Sequence, residues 1–337
     1  MHKKRALITG VTGMVGSHLV DFLLENTDWD IYGFARWNDR IDNIEHLVNK
    51  INVGDRVFLK YGDINDMASL LVLFKDVKPD YVFHLAAQSY PKTSFDSPIE
   101  TLETNILGTA KLLDAVRQLQ QNPVIHVCSS SEVFGRVPQD CLPISEDAMF
   151  HPASPYAISK VGTDLLGRFY AEAYGMTVLT TRMFTHTGPR RGDVFAESSF
   201  AKQIAMIEAG LQDPVVRVGN LESLRTWADV RDAVRAYYLL VTKSPLAGEY
   251  YNIGGSHTCT IGDMLNYLIS LSTRKDIKVE TDLKRLRPID ADLQVPNISK
   301  FKSHTGWEPS ITFEQTMQDL LNYWRGQISN GKRFLQR

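Results

Sequence analysis

Cysteine is scarce in this sequence, and its scarcity excludes several classes at once. Cys128, Cys141 and Cys259 are the only three in 337 residues. An odd number at such wide spacing gives neither a disulfide framework nor a metal-ligand pattern, and points to a reducing compartment. Cys128 lies in an apolar run and reads as a small core residue. Net charge is also slight, −2 with histidine neutral, so no strong field favours nucleic acid or a membrane surface. Long hydrophobic runs are missing. No segment approaches the roughly 18 uninterrupted apolar residues of a membrane-spanning helix. Lys3 to Arg5 precede an apolar stretch, as in a signal peptide, but Gly10, Gly13 and Gly16 interrupt it too early. Internal repeats and low-complexity tracts are absent too. What remains is the expectation of a cytoplasmic enzyme with no nucleic-acid or membrane partner. With 43% hydrophobic and 23% charged residues, the chain can bury a large core, as two domains or one large α/β domain with an appendage.

The first half alternates short β-like runs with helical patterns. Strands are predicted at Arg5 to Thr9, Ile31 to Ala35, Val57 to Tyr61, Tyr81 to Leu85, Val124 to Cys128 and Val178 to Phe184. Helices are predicted at Met14 to Leu24 and Asn105 to Gln118. Such alternation implies an α/β fold of the Rossmann type, a doubly wound parallel sheet with helices on both faces. Past about residue 184 the pattern loosens. Residues 1–183 are therefore read as a dinucleotide-binding domain, and 184–337 as a smaller α+β substrate lobe. Arg225 to Leu240 is read as returning to the first domain, within a stretch of about 220–245. A final helix is expected near Phe313 to Ile328, followed by a solvated basic tail.

Thr9-Gly10-Val11-Thr12-Gly13-Met14-Val15-Gly16 falls between the first strand and the first helix. Gly10 permits the tight turn, Gly13 lets the backbone approach a pyrophosphate, and Gly16 lets the helix pack close to the sheet. The helix start, with Met14 and Val15, offers free N–H groups to phosphates. A three-glycine pattern alone is weak; in this position it is much stronger. The second strand ends in Ala35-Arg36-Trp37, where an NAD site would carry a carboxylate. A guanidinium grips a 2′-phosphate instead, so Arg36 favours NADP; the alternative is a surface arginine. Asp63, with Ile64 beside it, is placed to meet the adenine, or is an ordinary turn aspartate.

Ser154-Pro155-Tyr156 reads as a helix start with Ser154 as N-cap and Pro155 at the first position. Tyr156 and Lys160 then share one face. A tyrosine of pKa about 10 is too weak a base at neutral pH. A nearby ammonium and a nicotinamide cation would stabilise its phenolate, which could deprotonate a sugar hydroxyl. Without the glycine turn upstream, a plain surface helix would be the better reading. Ser129-Ser130-Ser131-Glu132 follows the strand Val124 to Cys128, at the strand end where ligands bind in parallel sheets. Ser130 could hold the hydroxyl that Tyr156 deprotonates, and Glu132 adds a second acid/base. A polar loop is the bland alternative.

These segments together resemble the extended short-chain dehydrogenase/reductase family, and within it the GDP-mannose 4,6-dehydratases. The resemblance rests on Thr9 to Gly16, His84-Leu85-Ala86-Ala87-Gln88-Ser89, Ser130 to Gly135, Tyr156 to Lys160, Gly188-Pro189-Arg190-Arg191-Gly192, Gly219-Asn220, Leu224-Arg225, Arg287-Pro288 and Gly306-Trp307. It implies that Leu85, Ala86 and Ala87 join the NADP site. It also implies that Gln88, Ser89, Ser131, Thr185, His186, Arg191, Lys202, Gly219, Asn220, Arg225 and Arg287 meet a GDP-sugar. Arg225 and Arg287 would clamp the pyrophosphate; each alone could equally be a structural ion-pair residue. The implied reaction oxidises sugar C4 with Tyr156, Lys160 and Ser130, eliminates water across C5 and C6 with Glu132, and reduces C6. A homodimer or homotetramer is implied as well, built through the helix bearing Tyr156 and the helix near Asn105 to Gln118.

One segment departs from that pattern. Phe184-Thr185-His186-Thr187-Gly188-Pro189 carries Thr185 where the family has asparagine. With Arg36-Trp37, Asp42-Asn43-Ile44 and Gln88 to Phe95, it is more similar to the GDP-manno-heptose 4,6-dehydratases. Two rival readings share the fold: an NADPH-dependent GDP-4-keto-6-deoxy-sugar reductase, and a non-catalytic NADP-sensing protein. Arg190-Arg191-Gly192 argues against the first, and the intact Tyr156 and Lys160 against the second. A 4-epimerase would leave Glu132 without a role.

Overall fold

The computed structural model describes residues 3–286, 289 and 291–331. Thirteen strands lie among the described residues: β1 (Arg5–Thr9), β2 (Asp30–Ala35), β3 (Val57–Tyr61), β4 (Tyr81–His84), β5 (Val124–Cys128), β6 (Val178–Met183), β7 (His186–Thr187), β8 (Val215–Val218), β9 (Leu224–Asp229), β10 (Tyr250–Ile253), β11 (His257–Thr260), β12 (Lys278–Thr281) and β13 (Leu293–Gln294). Seven form one sheet in the order β10-β6-β5-β4-β1-β2-β3. Every pairing in it is parallel. The central strands are apolar on both faces, as a sheet covered by helices on each side requires. Ala6, Ile8, Ile31 and Phe83 pack in one hydrophobic cluster, and Leu7, Val82, Ile125 and Val127 in another. This is the doubly wound Rossmann architecture predicted from the alternating pattern.

The six predicted strands of the first half are all present, with ends moved by one residue at most. The seventh, β10, was not foreseen: Tyr-Tyr-Asn-Ile is too short to stand out by periodicity. Helix Met14–Asn26 outruns its predicted end by two residues. The region of Asn105 is not the start of a plain α-helix. Residues Glu103–Leu107 form a π-turn between helices Pro98–Leu102 and Gly108–Gln118. Asn105, 1% exposed, sits inside that turn.

The stretch Arg225 to Leu240 divides in two. Its first part is β9, the centre of a small second sheet with β7, β11 and β13. Its second part is helix Val230–Thr242, capped by the Asp229 side chain. That helix buries Val234, Tyr237 and Leu240 in the same cluster as Leu19, Val20 and Leu23 of the first helix. A separate core joins Phe200, Ile204, Val218, Trp227, Met264, Leu265, Met317, Leu320 and Trp324. Among the described residues no helix is long and apolar enough to cross a membrane.

Candidate active site

The first strand runs straight into a cradle made of missing side chains. Thr9 Oγ1 accepts from the N–H groups of Leu85 and Ala86, both at 3.1 Å, which ties the end of β1 to the end of β4. Gly10 follows with φ +72°, and a Cβ there would stand 2.9 Å from the Ala86 nitrogen. At Gly16 a Cβ would stand 2.3 Å from the Gly10 carbonyl oxygen. Neither position tolerates a side chain. Helix Met14–Asn26 starts at Gly13 with no side-chain cap, so its leading N–H groups are left for an anion. Met14 is buried, Val15 half-buried, and the Thr12 carbonyl accepts from Asn43 Nδ2 at 3.0 Å. This cradle fits a dinucleotide pyrophosphate.

Arg36 lies just past the end of β2, with its side chain 63% exposed. Its Nε donates to Asp39 Oδ1 at 2.9 Å, so a 2′-phosphate would share this guanidinium with a carboxylate. Asp63 accepts from the Asn65 N–H at 2.8 Å, and Ile64 is buried beside it. Ala87 follows Leu85 and Ala86 in the same loop, half-buried.

Tyr156 and Lys160 sit on helix Pro155–Tyr174, which starts as the sequence predicts. Ser154 Oγ accepts from the Ala157 N–H at 3.0 Å, and Pro155 takes the first turn. Both functional side chains are buried, 8% and 6% exposed. Ser130, at the end of β5, hydrogen-bonds Tyr156. Its Oγ also accepts from the Glu132 N–H at 3.2 Å, which nucleates the short turn Ser131–Phe134. Burial pushes the Tyr156 phenol well above its usual range, and Glu132 and Cys128 push the same way. The Ser130 hydrogen bond and the Arg191 charge oppose them. Lys160 Nζ donates to the Cys128 carbonyl at 2.7 Å and stands 5.9 Å from the Tyr156 ring centre. Burial lowers its own pKa. The phenol is thus held neutral, and its ionisation waits on added positive charge.

Most of the residues that the resemblance assigns to a GDP-sugar lie in the second half of the chain. Arg191 stacks on Phe195, 3.4 Å from guanidinium carbon to ring centre, and donates to the buried Glu197 at 3.0 Å. Its charge reaches both Tyr156 and His186. His186 is pushed down to about 4, by burial first and by Arg191 second. It follows Thr185 directly after the end of β6. Lys202, on helix Ala196–Glu208, pairs with Asp193 at 2.8 Å. Gly219 is held against the Arg285 backbone, where a Cβ would stand 2.9 Å from the carbonyl oxygen. Asn220 bonds Ser223 and the Glu222 N–H, shaping its own turn. Arg225 is 8% exposed at the start of β9. Ser131 is buried and Ser89 exposed. Gln88 spends its carboxamide on Tyr90 and Thr101. Arg287 lies outside the described residues.

Several residues that shape the site left no mark in the sequence pattern. Asn105 donates from Nδ2 to the Gln88 carbonyl and to Ser159 Oγ, and accepts from the Gln88 N–H. It therefore fixes the β4 loop to the Tyr156 helix. Glu197 and Asp193 anchor Arg191 and Lys202. Asp21 of the first helix takes Arg190 at 2.6 Å, and His18 bonds the Pro189 carbonyl at 3.1 Å, which holds the Gly188–Gly192 loop against the glycine turn's helix.

A β3-β2-β1-β4-β5-β6 parallel order, with a glycine turn and a Ser130-Tyr156-Lys160 set at its strand ends, defines an extended short-chain dehydrogenase/reductase enzyme. The family model for GDP-mannose 4,6 dehydratase matches residues 7–320, and the chain belongs to that family. It is 32% identical to the GDP-mannose 4,6-dehydratase of Yersinia enterocolitica, over 94% of this chain and 93% of that one. It is 30% identical to the GDP-6-deoxy-D-mannose reductase of Pseudomonas aeruginosa, over 96% and 98%. The structure of RMD from Pseudomonas aeruginosa complexed with NADPH superposes with a TM-score of 0.81 at 29% identity, covering 96% and 100%.

Proposed function

We propose that the protein is an NADP-dependent GDP-sugar 4,6-dehydratase, which converts GDP-mannose or GDP-D-glycero-D-manno-heptose to the 4-keto-6-deoxy sugar with loss of water. The observation that carries this reading is the buried Tyr156 phenol hydrogen-bonded to Ser130, whose Oγ also accepts from the Glu132 N–H at 3.2 Å. Reductases of this fold often keep a Ser-Ser-Glu stretch as well, so Glu132 alone does not separate a dehydratase from a reductase; the Arg190-Arg191-Gly192 run is what favours the dehydratase.

In this reading residues 1–183, with the return at about 220–245, carry the cofactor. The contacts are Gly10, Thr12, Gly13, Met14, Val15 and Gly16 at the pyrophosphate, Arg36 at the 2′-phosphate, and Asp63 and Ile64 at the adenine. Leu85, Ala86, Ala87, Tyr156 and Lys160 complete the set. When bound, NADP supplies an acceptor for the hydrogen and electron pair of sugar C4 and later returns them to C6. Lys160, 5.9 Å from the Tyr156 ring centre, supplies positive charge that the buried phenol needs in order to ionise. Tyr156 then takes the proton of the C4 hydroxyl while Ser130 holds that oxygen. The C4 ketone so formed makes the C5 proton acidic. Glu132 removes it and delivers a proton to the C6 hydroxyl, which leaves as water; reduction at C6 is completed by a proton delivered to C5, which balances the one Tyr156 took from the C4 hydroxyl. Residues 184–337 supply most of the GDP-sugar contacts, Lys202 among them, with Arg225 and Arg287 as clamps on the diphosphate.

Thr185 in place of the family's asparagine favours the heptose, which has one more carbon on C6 and needs a wider pocket. A homodimer or homotetramer is part of the proposal. Ile158, Leu165 and Phe169 on the Tyr156 helix and Leu107 near the π-turn stay about half exposed, as a partner-covered face would. A cytoplasmic location completes the reading.

The second reading is the NADPH-dependent reductase, favoured by the Pseudomonas aeruginosa relative and its NADPH complex. Incubation with GDP-mannose and with GDP-manno-heptose, each with catalytic NADP alone, separates the two. The dehydratase gives a product lighter by one water, and the faster sugar is the substrate. Stoichiometric NADPH oxidation by a 4-keto-6-deoxy GDP-sugar, with no water lost from either substrate, establishes the reductase instead. No turnover and no cofactor consumption with any GDP-sugar leaves an NADP sensor.

A further inference from the structure

The loop that carries Arg191 holds one residue in a conformation that its own type does not favour. Gly188-Pro189-Arg190-Arg191 closes a turn, with the Arg191 N–H donating to the Gly188 carbonyl at 3.3 Å. Arg190, the third residue of that turn, has φ +70°. Proline at the second position and a positive φ at the third are the marks of a type II turn, whose third position favours glycine or asparagine. A side chain there is strained, because left-handed backbone brings its Cβ against the following carbonyl. Such strain persists only where the surroundings hold it.

The holding contacts come from the cofactor helix, Met14–Asn26. Asp21 Oδ2 accepts from Arg190 Nη1 at 2.6 Å, and both side chains are mostly buried. His18, three residues earlier on the same face of that helix, bonds the Pro189 carbonyl at 3.1 Å. Both middle residues of the turn are therefore tied to the helix that begins at the phosphate cradle. The turn's last residue is Arg191. Its carbonyl accepts from Ser198 Oγ at 2.7 Å, and its guanidinium meets Phe195 and Glu197. Glycine at position 190 would form this turn unaided, but would give Asp21 nothing to hold.

From this geometry we infer that Asp21 is a positioning residue for the sugar side. By holding Arg190 in its left-handed conformation it sets the direction in which Arg191 leaves the turn, and with it the affinity for GDP-sugar. This rests on the reading above in which Arg191 meets the GDP-sugar.

The test is calorimetric titration of the NADP-loaded protein, in a Tyr156→Phe background so that sugar is not consumed. GDP-mannose and GDP-manno-heptose are each titrated into that parent, into Asp21→Asn, into Arg190→Gly and into the double variant, and NADP affinity is measured beside them. Asp21→Asn should weaken the better-bound sugar about fivefold and leave NADP affinity unchanged. Glycine adopts φ +70° without strain, so Arg190→Gly should bind that sugar within about twofold of the parent. Asp21 also takes His46 at 2.7 Å. A loss that passes through His46 persists when Asp21→Asn is added to Arg190→Gly; a loss that passes through the turn does not. The inference is overturned by unchanged sugar affinity in Asp21→Asn, by an equal loss for sugar and NADP, by an Arg190→Gly loss as large as that of Asp21→Asn, or by an undiminished Asp21→Asn loss in the double variant. Absence of GDP-sugar binding to the parent rejects the site reading itself, and the inference with it.

Discussion

Around the glycine turn the protein makes room by omission; around the Gly188–Gly192 loop it fills space with paired charges. Gly10 and Gly16 stand where a Cβ would strike backbone at 2.9 and 2.3 Å. Their job is done by main chain, and the residues that matter are neighbours in sequence. In the second region Arg190, Arg191 and Lys202 are held by Asp21, Glu197 and Asp193. Asp21 is far away in the chain. A backbone cradle is rigid because it has no side chains to reorient; a charge cluster is held only as well as its partners hold it.

The contrast predicts different failures. Gly16→Ala, the most damaging change proposed here, places a methyl against the Gly10 carbonyl and should weaken NADP binding at least a hundredfold. Fluorescence titration with NADPH measures it, and near-normal affinity would mean that the turn yields. Glu197→Ala leaves the Arg191 guanidinium with no carboxylate in a mostly buried site. A loss of about 3 kcal/mol in unfolding free energy is expected, with a raised KM for GDP-sugar and normal NADP affinity. An unchanged KM would remove Arg191 from the sugar side.

Acid should strike the parallel sheet that carries both regions. Burial holds the pKa values of His84 and His126 down to about 3, well below the ordinary histidine value of about 6.5. The folded protein keeps both neutral, while the unfolded chain gains a proton on each as pH drops below 6.5. Their contribution is complete above about 6.5 and is lost as pH falls from there toward 3, about 2 kcal/mol for each at pH 5. Thermal unfolding across pH 7 to about 5 should show the slope, and His126→Gln should make it shallower. A slope unaltered by that change would place the acid sensitivity elsewhere. The smallest effect belongs to Arg36→Ala. This exposed side chain should matter little to the melting temperature yet cost NADP about tenfold relative to NAD. Equal loss for both cofactors would mean that Arg36 does not read the 2′-phosphate.

What could be read from the chain alone follows the same division. The parallel sheet was legible because strand and helix periods alternate over six strands, and both signals are local. The glycine turn, the Ser154-Pro155 helix start and the Tyr156–Lys160 spacing were legible for the same reason. Their geometry is set within a few residues, and the structure keeps each of them. β10 escaped because four residues carry too little period to be recognised, and the π-turn at Asn105 because one extra residue in a helix leaves the apolar pattern nearly intact.

Sequence by itself determined the Rossmann sheet, the cradle and the helix bearing Tyr156 and Lys160, since each follows from local backbone preference and apolar spacing. Tertiary structure decided the rest. It brought Ser130 into a hydrogen bond with the Tyr156 phenol, and let burial set that phenol's resting state. It tied Asp21 to Arg190. Such pairings join residues far apart in the chain, and both desolvation and charge–charge contact depend on distances that exist only once the whole chain has folded.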